Sequence, residues 1–164
     1  TMKAMGSATG VPMPRPYFAA PSGDFGVVTL PAADFMMAMQ LTATTTNGLN
    51  WRREDDDDFV VTQRTAAGQL NLSRSDAGVV TSINQSAMAA AINDRIYTRV
   101  EGNTVRVGGH PTGGTWVNVA ASTVTQHAAG FGIAIVDPAA YANFEIYPLT
   151  GHALVLPPLP GGGI

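Results

Sequence analysis

Five consecutive carboxylates, Glu54-Asp55-Asp56-Asp57-Asp58, form the densest set of potential ligands in the sequence. Calcium takes about six to eight oxygens, so such a run invites a metal reading. The spacing argues against it. The glycine and distal Glu of an EF-hand loop are missing, and consecutive residues of an extended chain point to alternate sides, so the five carboxylates cannot converge. A solvated loop that discourages edge pairing accounts for the run. Three histidines, His110, His127 and His152, match in number a catalytic zinc site, yet no two have the spacing of H-x-x-x-H and each falls in or beside a predicted loop. They read as unrelated polar residues. No metal site and no cofactor is expected.

The nucleophile patterns are equally thin. Ser75-Asp76 together with a histidine has the composition of a hydrolase triad, but there is no G-x-S-x-G elbow, and Ser and Asp are common in turns for backbone reasons. An N-terminal threonine nucleophile should lead into a buried strand, whereas Thr1 leads through Met2, Lys3, Ala4 and Met5 into a Gly/Pro-rich stretch. Gly108 to Gly114 lacks the Lys and Ser/Thr order of a phosphate loop and reads as a long hairpin connection, with a ligand or partner loop as the other reading. Arg52, Arg53, Arg64, Arg74, Arg95, Arg99 and Arg106 hold most of the positive charge. Arg99 and Glu101 could take the Arg and Glu roles of a small NAD-using toxin, but no motif compels this, and ion pairs are the simpler use.

Composition narrows the classes further. The 164 residues suit one domain; 45% are hydrophobic and only 13% charged, about half the usual share of roughly 25%. The net charge of −3 offers no basic field for nucleic acid. No apolar run approaches the ~20 residues of a membrane helix, so neither nucleic acid nor a membrane is an expected partner. With no cysteine, disulfides, zinc–thiolate sites and thiol nucleophiles are excluded, and the compartment stays open.

The elements that must position any site are short strands. Strands are expected at 26–30, 36–46, 49–53, 59–65, 69–74, 79–81, 96–100, 104–107, 116–120, 131–136, 144–149 and 153–156, from β-branched enrichment and alternation. Asn47-Gly48 is the strongest hairpin signal, and turns are expected at Ala66-Ala67-Gly68, Asp76-Ala77-Gly78 and Glu101-Gly102-Asn103. Helices are expected at Ser82 to Asp94, where Ile83, Ala87, Met88, Ala91 and Ile92 share a helical face, at Ser122 to Ala129, and from Asp137-Pro138 to Asn143. The expected core is Trp51, Phe59, Val61, Leu70, Leu72, Ile92, Val105, Val107, Val117, Val119, Ile133, Ile135 and Ile146. The links are too short for parallel crossovers. The fold class is therefore mainly β, a mostly antiparallel sandwich or barrel with inserted helices: an extended N-terminal arm over 1–25, a body over 26–156 and a Pro/Gly tail over 157–164.

A weakly charged surface and apolar, proline-rich ends favour association. The leading functional reading is a non-enzymatic subunit of a larger particle, such as a virion capsid, decoration or tail protein, in a virion or extracellular setting. Its partner would be itself or another structural protein, with Met2, Met5, Val11, Met13, Tyr17, Phe18, Leu159 and Ile164 as contacts. A small secreted enzyme or toxin with an Arg/Glu/His cleft is the alternative, and a carbohydrate- or surface-binding β module the third reading.

Overall fold

The computed structural model describes residues 16–150 and 153–154. Its strands in chain order are β1 (Phe18–Ala20), β2 (Val28–Thr29), β3 (Phe35–Leu41), β4 (Asn47–Arg53), β5 (Phe59–Arg64), β6 (Gln69–Asp76), β7 (Val79–Ala87), β8 (Asp94–Glu101), β9 (Thr104–His110), β10 (Val117–Thr123), β11 (Gly132–Ile135), β12 (Tyr141–Thr150) and β13 (Ala153–Leu154). They form two antiparallel sheets. One runs β1-β12-β3-β8-β9-β10, with β13 also paired to β12; the other runs β2-β11-β4-β5-β6-β7. The mainly β, antiparallel expectation holds, as a sandwich rather than a closed barrel.

Side-chain alternation builds the layers. Along β3, Phe35, Met37, Met39 and Leu41 are buried while Met36, Ala38 and Gln40 are half-buried on the opposite face, the period of two that a half-covered strand requires. The second sheet answers with Leu49, Trp51, Val60, Leu70, Leu72 and Ile133, all fully buried. Phe35 meets Trp51 edge-on across the interface, ring centroids 5.6 Å apart. Two polar pairs cross the same layer between β5 and β8. The Thr62 and Thr98 hydroxyls are 2.8 Å apart, and Arg64 Nη1 donates to Asp94 Oδ2 at 2.7 Å with both side chains fully buried. At one side the sheets are stitched together: Asn84 Nδ2 on β7 donates to the Ala120 carbonyl on β10 at 3.3 Å, and Ser86 Oγ to that of Asn118 at 2.9 Å.

No helix occurs among the described residues. The segment expected as a helix from Ser82 to Asp94 is instead the second half of β7, which pairs with β6 from Gln69↔Ala87 to Asp76↔Val79, followed by an irregular link over 88–93 and the first residue of β8. Its helical-looking apolar face reduces to Met88, which is buried, and Ile83, which packs on the core edge; Ile92, expected inside, is 56% exposed. Asn93, at φ 67°, stops any helix before Asp94. Ser122 and Thr123 finish β10, so the expected 122–129 helix is a strand end and a turn. Asp137 to Ala140 make a single turn, with Ala140 N donating to Asp137 O, before β12 begins at Tyr141. Each of these segments had local helix signals that sheet pairing overrides.

Asn47-Gly48 is not a hairpin turn. The chain turns earlier, and the two residues open β4 in the opposite sheet from β3. Asn47 is fully buried and all its amide groups are used: Nδ2 donates to the carbonyls of Asp137 and Ala140, both at 3.0 Å, and Oδ1 accepts from the amides of Asp137 and Gly48, both at 2.8 Å. Gly48 is required by close approach, since a Cβ there would stand 2.0 Å from the Thr62 carbonyl oxygen. Of the expected core, Phe59 and Val117 are half-buried and Ile92 is exposed; the other expected core residues are buried. The expected arm over 1–25 is shorter in its described part, because β1 joins a sheet and Phe25 packs on the core.

Candidate ligand-binding face

The outward residues of the β1-β12-β3-β8-β9-β10 sheet form a built surface. Strand register lines up Glu145 of β12, Ala38 of β3, Tyr97 of β8, Gly108 of β9 and Asn118 of β10 in one row. On one side of it stands the row Gln40, Arg95 and His110, and on the other Tyr147, Met36, Arg99 and Arg106. The alternation that buries Ile96, Thr98 and Val100 is what presents Arg95, Tyr97 and Arg99 outward.

Small residues on either side of Tyr97 leave two hollows. Over Gly108 lies one of about 550 Å³, bordered by Met36, Tyr97, Arg99, Arg106, Trp116 and Asn118. Over Ala38 lies a second of about 360 Å³, bordered by Gln40, Arg95, Tyr97, Asn143 and Glu145. Tyr97 borders both. Trp116, just before β10, is 55% exposed, an unusual state for the largest apolar side chain. Its ring sits 4.9 Å from that of Tyr97 and 5.3 Å from that of His110, giving a tilted aromatic platform at the hollow's rim.

Polar groups frame this platform. Arg99 Nε donates to Glu101 Oε1 at 2.6 Å, and that hydrogen bond raises the guanidinium pKa. Around the second hollow, Asn143 Nδ2 donates to Gln40 Oε1 at 3.2 Å and Gln40 Nε2 to Asn93 Oδ1 at 2.9 Å. The Tyr147 hydroxyl donates to Glu145 Oε1 at 3.3 Å, and burial, followed by the Glu145 charge, raises its pKa. Asn143 holds φ 54° at a bulge between Ala142 and Glu145, which re-aims its side chain. The set supplies donors, acceptors and an aromatic face, the ingredients of recognition of a polyhydroxylated ligand. Among the described residues bordering the hollows, Glu145 is the one carboxylate.

The groups singled out from sequence go elsewhere. Asp55 Oδ1 accepts from the amides of Asp57 and Asp58, Asp58 Oδ1 accepts from Ala77 N, and Arg53 pairs with Asp56. The acidic run is thus a loop that clasps the β6–β7 turn. No group of three or more His, Cys, Asp or Glu suited to a metal occurs among the described residues. His127 contacts Asp76 at 3.0 Å, His110 joins the Trp116 cluster, and His152 lies outside the described residues. The Ser75 hydroxyl is buried and donates to the Asp57 carbonyl at 2.6 Å, so it is not poised as a nucleophile. Gly108 to His110 continue β9 rather than opening a loop. Among the expected partner contacts, Phe18 packs against Phe25 and Phe144 of its own chain, and Tyr17 is exposed; Met2, Met5, Val11, Met13, Leu159 and Ile164 lie outside the described residues.

Sequence reading missed Tyr97, Arg106, Trp116 and Asn118 as a site. The available signal was the alternation itself: Arg95, Tyr97 and Arg99 interleave with Ile96 and Val100, and Trp116 directly precedes a strand whose inward positions are Val117 and Val119.

The fold is a β-sandwich of two antiparallel sheets. No family model and no curated protein matches the chain. Solved structures do. The carbohydrate-binding module CBM66 from Bacillus subtilis superposes with TM-score 0.55 at 14% identity, over 77% of this chain and 82% of that one. The Caenorhabditis elegans galectin LEC-6 gives 0.58 at 11%, over 78% and 94%. The sucrose-6-phosphate hydrolase from Lactobacillus gasseri gives 0.60 at 13%, over 83% of this chain but only 29% of the hydrolase. These likenesses establish the fold and give no support to the particle-subunit reading.

Proposed function

We propose that this chain is a non-catalytic carbohydrate-binding module whose site is the outer face around Tyr97. The observation that carries the proposal is the exposed Trp116 ring beside Tyr97, over a hollow kept open by Gly108 and framed by Arg99, Arg106 and Asn118. A pyranose or furanose ring has apolar C–H faces and a polar hydroxyl rim, so an aromatic platform ringed by fixed hydrogen-bonding groups suits it. Similarity in fold to a carbohydrate-binding module and to a galectin supports the same reading. The test is binding of the purified chain to a panel of immobilised glycans, followed by titration of the strongest binder with the parent and Trp116→Ala. Trp116-dependent binding supports the proposal; a panel with no such binding refutes it.

A further inference from the structure

Charge is unevenly distributed in the first hollow. The chain carries 12 acidic and 9 basic side chains, yet the residues bordering this hollow include Arg99 and Arg106 and no carboxylate. The two arginines are direct cross-strand partners on the outer face, and like charges so placed repel. Glu101 compensates Arg99 through the 2.6 Å contact. Arg106 is exposed, and among the described residues no carboxylate forms an ion pair with it. It lies two residues before Gly108 along β9, beside the open floor over which Trp116 and Tyr97 stand.

We infer that the glycan seated over Gly108 carries an anionic substituent, a carboxylate or a sulfate, held by Arg106. The inference rests on the carbohydrate reading and names its ligand class. A guanidinium presents parallel N–H donors that match two oxygens of either anion, and such charge-assisted pairs are about twice as strong as neutral hydrogen bonds. The ligand then supplies for Arg106 the charge compensation that, among the described residues, Glu101 gives only to Arg99. The aromatic platform holds the ring of the sugar and Arg106 selects the substituent.

The experiment uses the whole chain on a glycan panel with neutral, uronate-containing, sialylated and sulfated arms. Acidic glycans should be the strongest Trp116-dependent binders, and the arm in which they fall separates carboxylate from sulfate. The best binder is then titrated beside its neutralised form, methyl-esterified or desulfated. Neutralising the ligand should weaken binding roughly tenfold or more, as expected for loss of a charge-assisted contact. Arg106→Gln should produce the same loss with the acidic ligand and little change with the neutral one, while Arg106→Lys retains part of the preference. Neutral glycans binding as well as acidic ones, with Arg106→Gln without effect, would overturn this inference and leave the carbohydrate reading standing. Absence of Trp116-dependent binding in every arm would overturn both. The neutralised ligand decides the matter even if an Arg106 variant folds poorly.

Discussion

The rings of Tyr97 and Trp116 stand 4.9 Å apart at an interplanar angle of 41°, one projecting from β8 and the other from the chain just before β10, with Gly108 of β9 between their strands. A Cβ at Gly108 would lie 3.4 Å from Asn118 Oδ1 and 3.6 Å from Trp116 Cζ3, ordinary contact distances, and the residue has no positive φ. A larger side chain there therefore fills the hollow without straining the backbone. Gly108→Val and Trp116→Ala should each abolish glycan binding while changing stability by no more than about 0.5 kcal/mol, the usual range for surface substitutions. The chain has two tryptophans, and Trp51 is fully buried. Ligand-dependent fluorescence change should come from Trp116 alone. A change that persists in Trp116→Ala would place the ligand elsewhere.

Arg64 and Asp94 form the buried tie between the sheets, and Arg64 also donates to the carbonyls of Ala43, Thr45 and Ala91 at 2.7 to 2.9 Å. Asp94 in turn accepts from Ala91 N and Thr112 N, fixing the loop before β8 and the loop after β9. Removing one partner leaves a charge buried without compensation. Asp94→Asn should cost about 3–5 kcal/mol in urea unfolding. The double change Arg64→Met, Asp94→Leu should recover part of that loss, because apolar replacement of both charges removes the desolvation penalty.

Asn47→Ala would leave the Asp137 amide without its partner and would take one of two donors from each of the Asp137 and Ala140 carbonyls, which keep Ala140 N and Thr42 N. The expected loss is about 1–3 kcal/mol. Asn47→Asp should not rescue it, since a carboxylate cannot donate to the two carbonyls. Unfolding curves for the two variants that match the parent would show that the turn before β12 is held by other contacts.

The Asn47 arrangement also shows where sequence reading reached its limit. Asn-Gly has two physical uses, positive φ in a tight turn and a small residue beside a hydrogen-bonding amide in a crowded strand, and spacing does not separate them. Here the second use applies, because Thr62 of the neighbouring strand passes too close for any Cβ. The segment after Ser82 is a similar case. Ile83, Met88 and Ile92 satisfy a helical period, but β6 offers a partner edge along its whole length, a non-local fact invisible in the local pattern. The hairpins expected over 59–74 and 96–107 were legible because each is local and its turn residues lie between clear alternations, although the strands run further, to Asp76, from Asp94 and to His110. The candidate face was harder to see, since its row from Glu145 through Tyr97 to Asn118 joins residues from five strands.

Acid sensitivity should centre on the loop clasp. Asp55 has its pKa lowered by the amides of Asp57 and Asp58, and Asp76 by its hydrogen bond from Arg74. A carboxylate whose folded pKa lies below its unfolded value adds stability above the unfolded pKa, near 3.8 here, and that stability is lost as pH falls through the folded pKa. The melting temperature should therefore drop on acidification below about pH 4. The drop should be shallower in Asp55→Asn and Asp76→Asn, with parent and variants converging at the acid end. Parallel profiles for parent and variants would assign the acid sensitivity to other groups.

The two hollows share Tyr97 as a common wall, and this sets an expectation for ligand length. The row from Glu145 to Asn118 crosses four strand spacings, about 19 Å at ~4.8 Å each. That width exceeds a single sugar ring several times over, so one ring over Gly108 leaves the Ala38 hollow empty. Affinity should rise from monosaccharide to di- and trisaccharide as further units cross Tyr97 toward Gln40 and Glu145, and then level off. Ala38 is half-buried on the outer face, so Ala38→Leu should fill the second hollow while sparing the first. In titrations of a length series, Ala38→Leu should leave the shortest ligand unaffected and erase the gain from added units. Gly108→Val should weaken every length. An Ala38→Leu chain that keeps the full gain would show that longer ligands leave the first hollow in another direction, along the strands toward Met36 and Ala121 rather than across them.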